Sequence, residues 1–133
     1  MRKGDIVRKY FAGNIPIGDF AIVNRCKGGF AEILYSASPL MPVCISKSRL
    51  KIMSKVSIPI SDDLFDRLIN EKTFVISHAI SPKWKRAYDK EPDLIVVYTP
   101  SGNKATFTVL EMNLIVTTTG EKRIQITLGR RLL

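Results

Sequence analysis

The sequence predicts a mainly β fold with two short helices, an α+β arrangement of a small N-terminal β-barrel and a second β-rich lobe that carries both helices. Three observations lead there. Short apolar runs with period-two alternation recur between clusters of Gly, Pro, Asn and Ser. Only two stretches place apolar residues at helical spacing, and the texture of the chain changes abruptly after Lys55. A chain of 133 residues suffices for one ordinary domain or two small lobes. With 45% apolar and 25% charged residues, its composition is that of a globular protein that folds without disulfides or metal.

Residues 4–10 read as an opening strand, followed by the breakers Gly13, Asn14, Pro16 and Gly18. Residues 19–26 and 30–36 then form a hairpin across Lys27, Gly28 and Gly29, because a primed turn needs the positive φ that glycine adopts cheaply. Residues 38–42, with Pro39 and Pro42, are expected to be irregular, and residues 43–45 to be a strand. Residues 49–53 alternate, with Leu50 and Ile52 on one face and Arg49 and Lys51 on the other. So many short strands within 55 residues suggest a closed barrel, since closure removes exposed edges. In general texture this lobe resembles Src-homology-like barrels, a fold that hosts many unrelated functions.

Residues 57–60 are expected to be an extended connector, dividing the chain into lobes 1–55 and 58–133. Ser61 is a helix N-cap, and Asp62 and Asp63 favour the positive end of the helix dipole. Leu64, Phe65, Leu68 and Ile69 make one apolar stripe, Asn70 closes the helix, and residues 72–77 form a strand. Ser81 and Pro82 open the second helix, with proline at the first helical position where its missing N–H costs nothing. Trp84, Ala87 and Tyr88 share a face of it. Residues 94–99, 104–111, 113–119 and 122–128 complete a run of antiparallel strands, with turns at residues 100–103 and at Gly120.

Charge is unevenly spread. Residues 1–55 hold ten Lys/Arg against three Asp/Glu, net +7, out of a whole-chain charge of +9. A polyanion is therefore the expected partner, RNA or DNA held by phosphate contacts from Arg8, Lys9, Arg25, Lys27, Lys47, Arg49 and Lys51 in the first lobe and from Lys72, Lys83 and Arg86 in the second. An acidic partner protein is the alternative. Beside Lys83, Lys85 and Arg86, Trp84 has two readings: it stacks a base, or it packs beneath its helix with Tyr88. No apolar run approaches the ~20 residues that span a bilayer, and Met1 leads straight into a strand with no signal peptide, so a cytoplasmic protein is expected.

Several chemistries are excluded. There is no glycine-rich phosphate loop, no His-Glu zinc helix and no nucleophile elbow. Cys26 and Cys44 read as buried free thiols, and with His78 as the one histidine they offer no metal-ligand spacing. No cofactor is expected.

The passage from Leu68, Ile69, Asn70 and Glu71 into Lys72 and Thr73, then an apolar strand, is similar to the helix-to-strand step of ASCH domains, relatives of the PUA fold. Residues 91–96 and 104–115 resemble that family's following strands, so the resemblance covers residues 58–133. It implies a small barrel with a helix across one end and a groove suited to RNA or a modified nucleoside. Some members are amidohydrolases that use a lysine, a threonine and a glutamate. Lys72 matches the lysine and Glu111 is an available carboxylate. The threonine position falls at Val75 and a frequent arginine at Ser77, so Thr73 would have to serve from the opposite face of the strand.

Overall fold

The computed structural model describes residues 1–11, 15–35, 38–71 and 74–133. Gly13, Asn14, Lys72 and Thr73 lie outside these described residues. The chain divides into two compact units, Met1–Met53 and Ser54–Leu133, each with its own five-stranded sheet.

The first unit contains β1 (Ile6–Phe11), β2 (Ile15–Lys27), β3 (Phe30–Tyr35), β4 (Ser38–Ser46), a 3-10 turn (Lys47–Arg49) and β5 (Leu50–Ile52). Its sheet order is β4-β3-β2-β1-β5, an antiparallel meander whose last strand returns to the first. The expected closed barrel is not formed among the described residues: β4 and β5 end the sheet on opposite sides. β5 has only three residues and pairs with β1 alone among the described strands. β4 also runs through the stretch expected to be irregular. An edge strand tolerates Pro42, whose missing N–H needs no ladder partner on the open side. One face of the sheet buries Val7, Ala21, Val23, Ala31, Ile33, Ile45 and Leu50. Ile52 does not join Leu50 in this core and is half exposed.

The second unit contains β6 (Lys55–Pro59), α1 (Asp62–Asn70), β7 (Val75–Ala79), α2 (Pro82–Lys90), β8 (Leu94–Tyr98), β9 (Lys104–Val116) and β10 (Lys122–Arg131). Its order is β6-β8-β9-β10-β7, again open, with β6 and β7 at the two edges. Residues 55–59 are thus a strand, not the expected connector, and the boundary falls just before them at Met53/Ser54. β6 pairs with β8 in parallel, a geometry that demands a long crossover, and α1, β7 and α2 supply it. Both helices begin as the sequence predicts: the Ser61 and Ser81 side chains accept from Leu64 N–H and Trp84 N–H. Leu68, Trp84 and Ala87 are buried with Ile58, Ile95, Val97, Ile124 and Ile126, and Leu64, Phe65, Ile69 and Tyr88 pack against that cluster. β9 is one continuous strand of 13 residues, where two were expected, because β8 and β10 flank it in turn. Its register with β10 shifts between Thr127 and Leu128, and again between Leu128 and Arg131, where Gly129 sits. A Cβ on Gly129 would lie 2.2 Å from Thr108 Oγ1, the atom that accepts Arg130 N–H, so only glycine fits that approach.

No helix among the described residues is long and apolar enough to cross a membrane.

Candidate nucleic-acid interface

Pairing across the first sheet decides which basic residues meet. Phe20 on β2 pairs with Arg8 on β1, and Arg8 pairs with Lys51 on β5. In-register neighbours project to one face, so these three side chains form a row across three strands. Tyr10, two residues beyond Arg8, lies on the same face. The face opposite is the apolar core. The Arg8 guanidinium carbon lies 5.2 Å from the Phe20 ring centroid and Lys51 Nζ lies 4.5 Å from that of Tyr10. Each cation–π contact of this kind contributes about 0.5–1 kcal/mol at an exposed site.

A bulge builds this arrangement. Arg8 pairs with Phe20 but Lys9 with Ile17, so Gly18 and Asp19 are extra residues on β2. Gly18 adopts φ +73, a left-handed conformation open to glycine, and its carbonyl accepts Arg8 Nε–H at 3.0 Å. The bulge therefore aims the arginine.

The other predicted cations separate from this row. Lys9 pairs with the buried Leu50 and alternates to the opposite side of β1. Lys47 and Arg49 stand on the 3-10 turn before β5. Arg25 is in an ion pair with Glu32 at 3.0 Å, and with Lys27 it lines a mostly apolar depression at the β2–β3 hairpin, beside Phe30 and Cys44. Hydrogen bonds from Asn24 first, then Arg25, hold the Glu32 carboxyl below its ordinary value. Arg25 is thus paired with a carboxylate on the neighbouring strand, although its side chain stays largely exposed.

In the second unit, Trp84 is 1% exposed and lies at the heart of the core. Of its two readings, packing holds and base stacking is corrected: at helical spacing Trp84 and Ala87 fall on the face that packs on the sheet, and Lys83, Lys85 and Arg86 point away. Trp84 Nε1 has no hydrogen-bond partner among the described residues. His78 covers the ring from β7, its imidazole stacked at 5.1 Å between centroids and 16° between planes. Lys83 and Arg86 remain on the surface, where they meet Lys55, Ser57 and Tyr98, none of which the sequence singled out.

For catalysis, Glu111 is exposed on β9, opposite Thr127, beside Tyr88 and Glu91. Lys72 and Thr73 lie outside the described residues. Val75 is largely exposed, and Ser77 is engaged by the Arg123 guanidinium. Cys26 is half buried, but Cys44 is exposed, contrary to its expected burial: it occupies a β4 position that alternates away from Ile45, which fills the core instead. No group of three or more His, Cys, Asp or Glu converges among the described residues.

The aromatic partners Tyr10 and Phe20 were missed in the sequence. Their signal lay in alternation with Arg8, but the pairing of β1 with β5 is long-range. Comparison with family models, with curated proteins and with solved structures finds no match.

Proposed function

We propose that the protein binds single-stranded nucleic acid, RNA in the first instance, through the face of the first sheet that carries Arg8, Tyr10, Phe20 and Lys51. The observation that supports this is the in-register row from Phe20 through Arg8 to Lys51. Aromatic rings offer every base a stacking surface, and cations beside them meet the phosphates between bases. Arg49, exposed on the turn just before β5, adds a positive charge off the row. Since phosphate contacts position a strand without reading it, the expected binding is sequence-tolerant. A cytoplasmic setting is part of the proposal and suits two free thiols.

The test is fluorescence anisotropy with random-sequence single strands at several salt concentrations. Each neutralised phosphate releases counterion, so about four to six contacts give a log–log slope of roughly −3 to −4. The double reversal R49E/K51E is expected to weaken all sequences alike and to flatten that slope. Absence of binding at low salt and high micromolar protein would overturn the proposal in favour of an acidic protein partner.

A further inference from the structure

We propose that the second unit holds a separate binding site for a dianionic phosphate monoester, formed by Lys55, Ser57, Lys83, Arg86 and Tyr98. These residues, with Val56, line an open depression of roughly 360 Å³, at the small end of ligand sites. Lys83 and Arg86 lie three residues apart on α2 and so share a side of the helix, while Trp84 and Ala87 turn to the core. Lys55 and Ser57 come from β6 and Tyr98 from β8, opposite Pro59.

Three features favour an anion. First, three cations line the depression and no carboxylate does. Among the described residues, the ion pairs are Arg25–Glu32, Lys85–Asp89 and Arg123–Glu121, so none engages Lys55, Lys83 or Arg86. Second, the cations are partly preset: Lys83 Nζ donates to the Tyr98 hydroxyl and lies 5.1 Å from that ring's centroid, which holds the ammonium at the wall with two N–H groups left to donate. Third, β6 is an edge strand. Ser54 O accepts from Leu94 N–H and Ile60 N–H donates to Tyr98 O, so the backbone of the alternate residues Lys55 and Ser57 faces the open edge. Their N–H groups add donors beside the Ser57 hydroxyl. Like charges gathered around one hollow repel, and a bound dianion relieves that repulsion. A terminal phosphate, with three free oxygens and two charges, matches this donor set; a phosphodiester carries a single charge.

The site does not depend on the first unit binding a strand. Its test is an NMR titration of the full chain, ¹⁵N-labelled, with inorganic phosphate at pH 7.5 and pH 5. Saturable shifts are expected at the amides of Lys55, Ser57, Lys83 and Arg86. Binding should be weaker at pH 5, because inorganic phosphate then lies below its second pKa and carries one charge. K83A and R86A are each expected to weaken binding about tenfold, as loss of a charge-assisted hydrogen bond does. K90A, exposed on the same helix outside the depression, should leave it unchanged. A native-like amide spectrum shows that each variant is folded. No saturable shift up to about 20 mM phosphate, or shifts indifferent to both K83A and R86A, would overturn the site. The source is separated by comparing AMP with a 5′-phosphorylated oligonucleotide and its unphosphorylated twin. AMP binding as well as the phosphorylated strand means a free monoester; a preference for the phosphorylated strand over both means a strand end.

Discussion

Replacing Trp84 distinguishes a core residue from a base-stacking one. The side chain is 1% exposed and packs with the cluster around Ile58, Ile95 and Ile126. An aromatic of this size buries about 150–250 Å², worth roughly 4–6 kcal/mol at ~25 cal/mol per Å². W84A is therefore expected to lose about 3–5 kcal/mol, the usual range for such truncations. That is a large share of the stability of a small unit, at ~0.05–0.15 kcal/mol per residue. W84F should behave quite differently. The smaller ring leaves a void of ~40 Å³, costing about 1 kcal/mol at ~24 cal/mol per Å³. It also removes the Nε1–H, which is buried without a partner among the described residues and carries a desolvation cost of about 1–3 kcal/mol. The two effects nearly cancel, so W84F is expected within about 1–2 kcal/mol of the parent. Urea unfolding followed by far-ultraviolet circular dichroism measures both variants without needing the chain's one tryptophan as a probe. Binding of single strands by W84F should match the parent. If W84A kept full stability while binding fell by the ~1–3 kcal/mol of a lost base stack, the tryptophan would be a surface residue and the packing argument wrong.

Other outcomes follow from local geometry. G129A places a methyl group 2.2 Å from Thr108 Oγ1 and is expected to cost about 1–3 kcal/mol in urea unfolding, whereas G129A/T108A should recover part of it. E91G should stabilise the protein by about 0.5–1 kcal/mol, because Glu91 ends α2 at φ +46, a left-handed conformation that glycine adopts without strain; a loss of thermal stability would refute this. Asp62 accepts from Ser101, then Thr99, and its carboxyl titrates below the ordinary 3.8; Glu32 titrates below 4.5. Depressed carboxylates stabilise the fold above their unfolded values and lose that effect as pH falls through the folded ones, so unfolding midpoints should drop in this acid window, and less steeply in D62N/E32Q.

What the sequence revealed was local. Both helices, their serine caps and the stripe from Leu64 to Ile69 were legible because capping and helical periodicity act within a few residues. The open sheets were not legible, because closure depends on which strands meet at the far edges, a long-range matter that local patterning does not report. Residues 57–60 contain a proline and so looked like a connector, yet Pro59 sits where an edge strand turns its backbone outward and loses no hydrogen bond. Trp84 was ambiguous for a related reason. A helix carries core and surface residues side by side, and only packing shows which face turns inward.

The same reasoning limits what net charge says about partners. The excess of positive charge in residues 1–55 suggested a broad polyanion surface, but pairing divides the cations of both units by role. Arg25 is balanced by Glu32, Lys85 by Asp89 and Arg123 by Glu121, and such pairs present little field to a ligand. Arg8 is different, because its partners are a carbonyl and the face of an aromatic ring, which orient the guanidinium without cancelling it. Lys83 is held in the same way by the Tyr98 hydroxyl. Orientation by neutral groups is what an anion-binding residue requires, since a carboxylate partner would have to be displaced first. By this criterion the nearly balanced second unit carries a site as well defined as any in the basic first one. The sequence singled out Lys83 and Arg86 as phosphate contacts but not Lys55, because the three converge only when β6 and α2 come together.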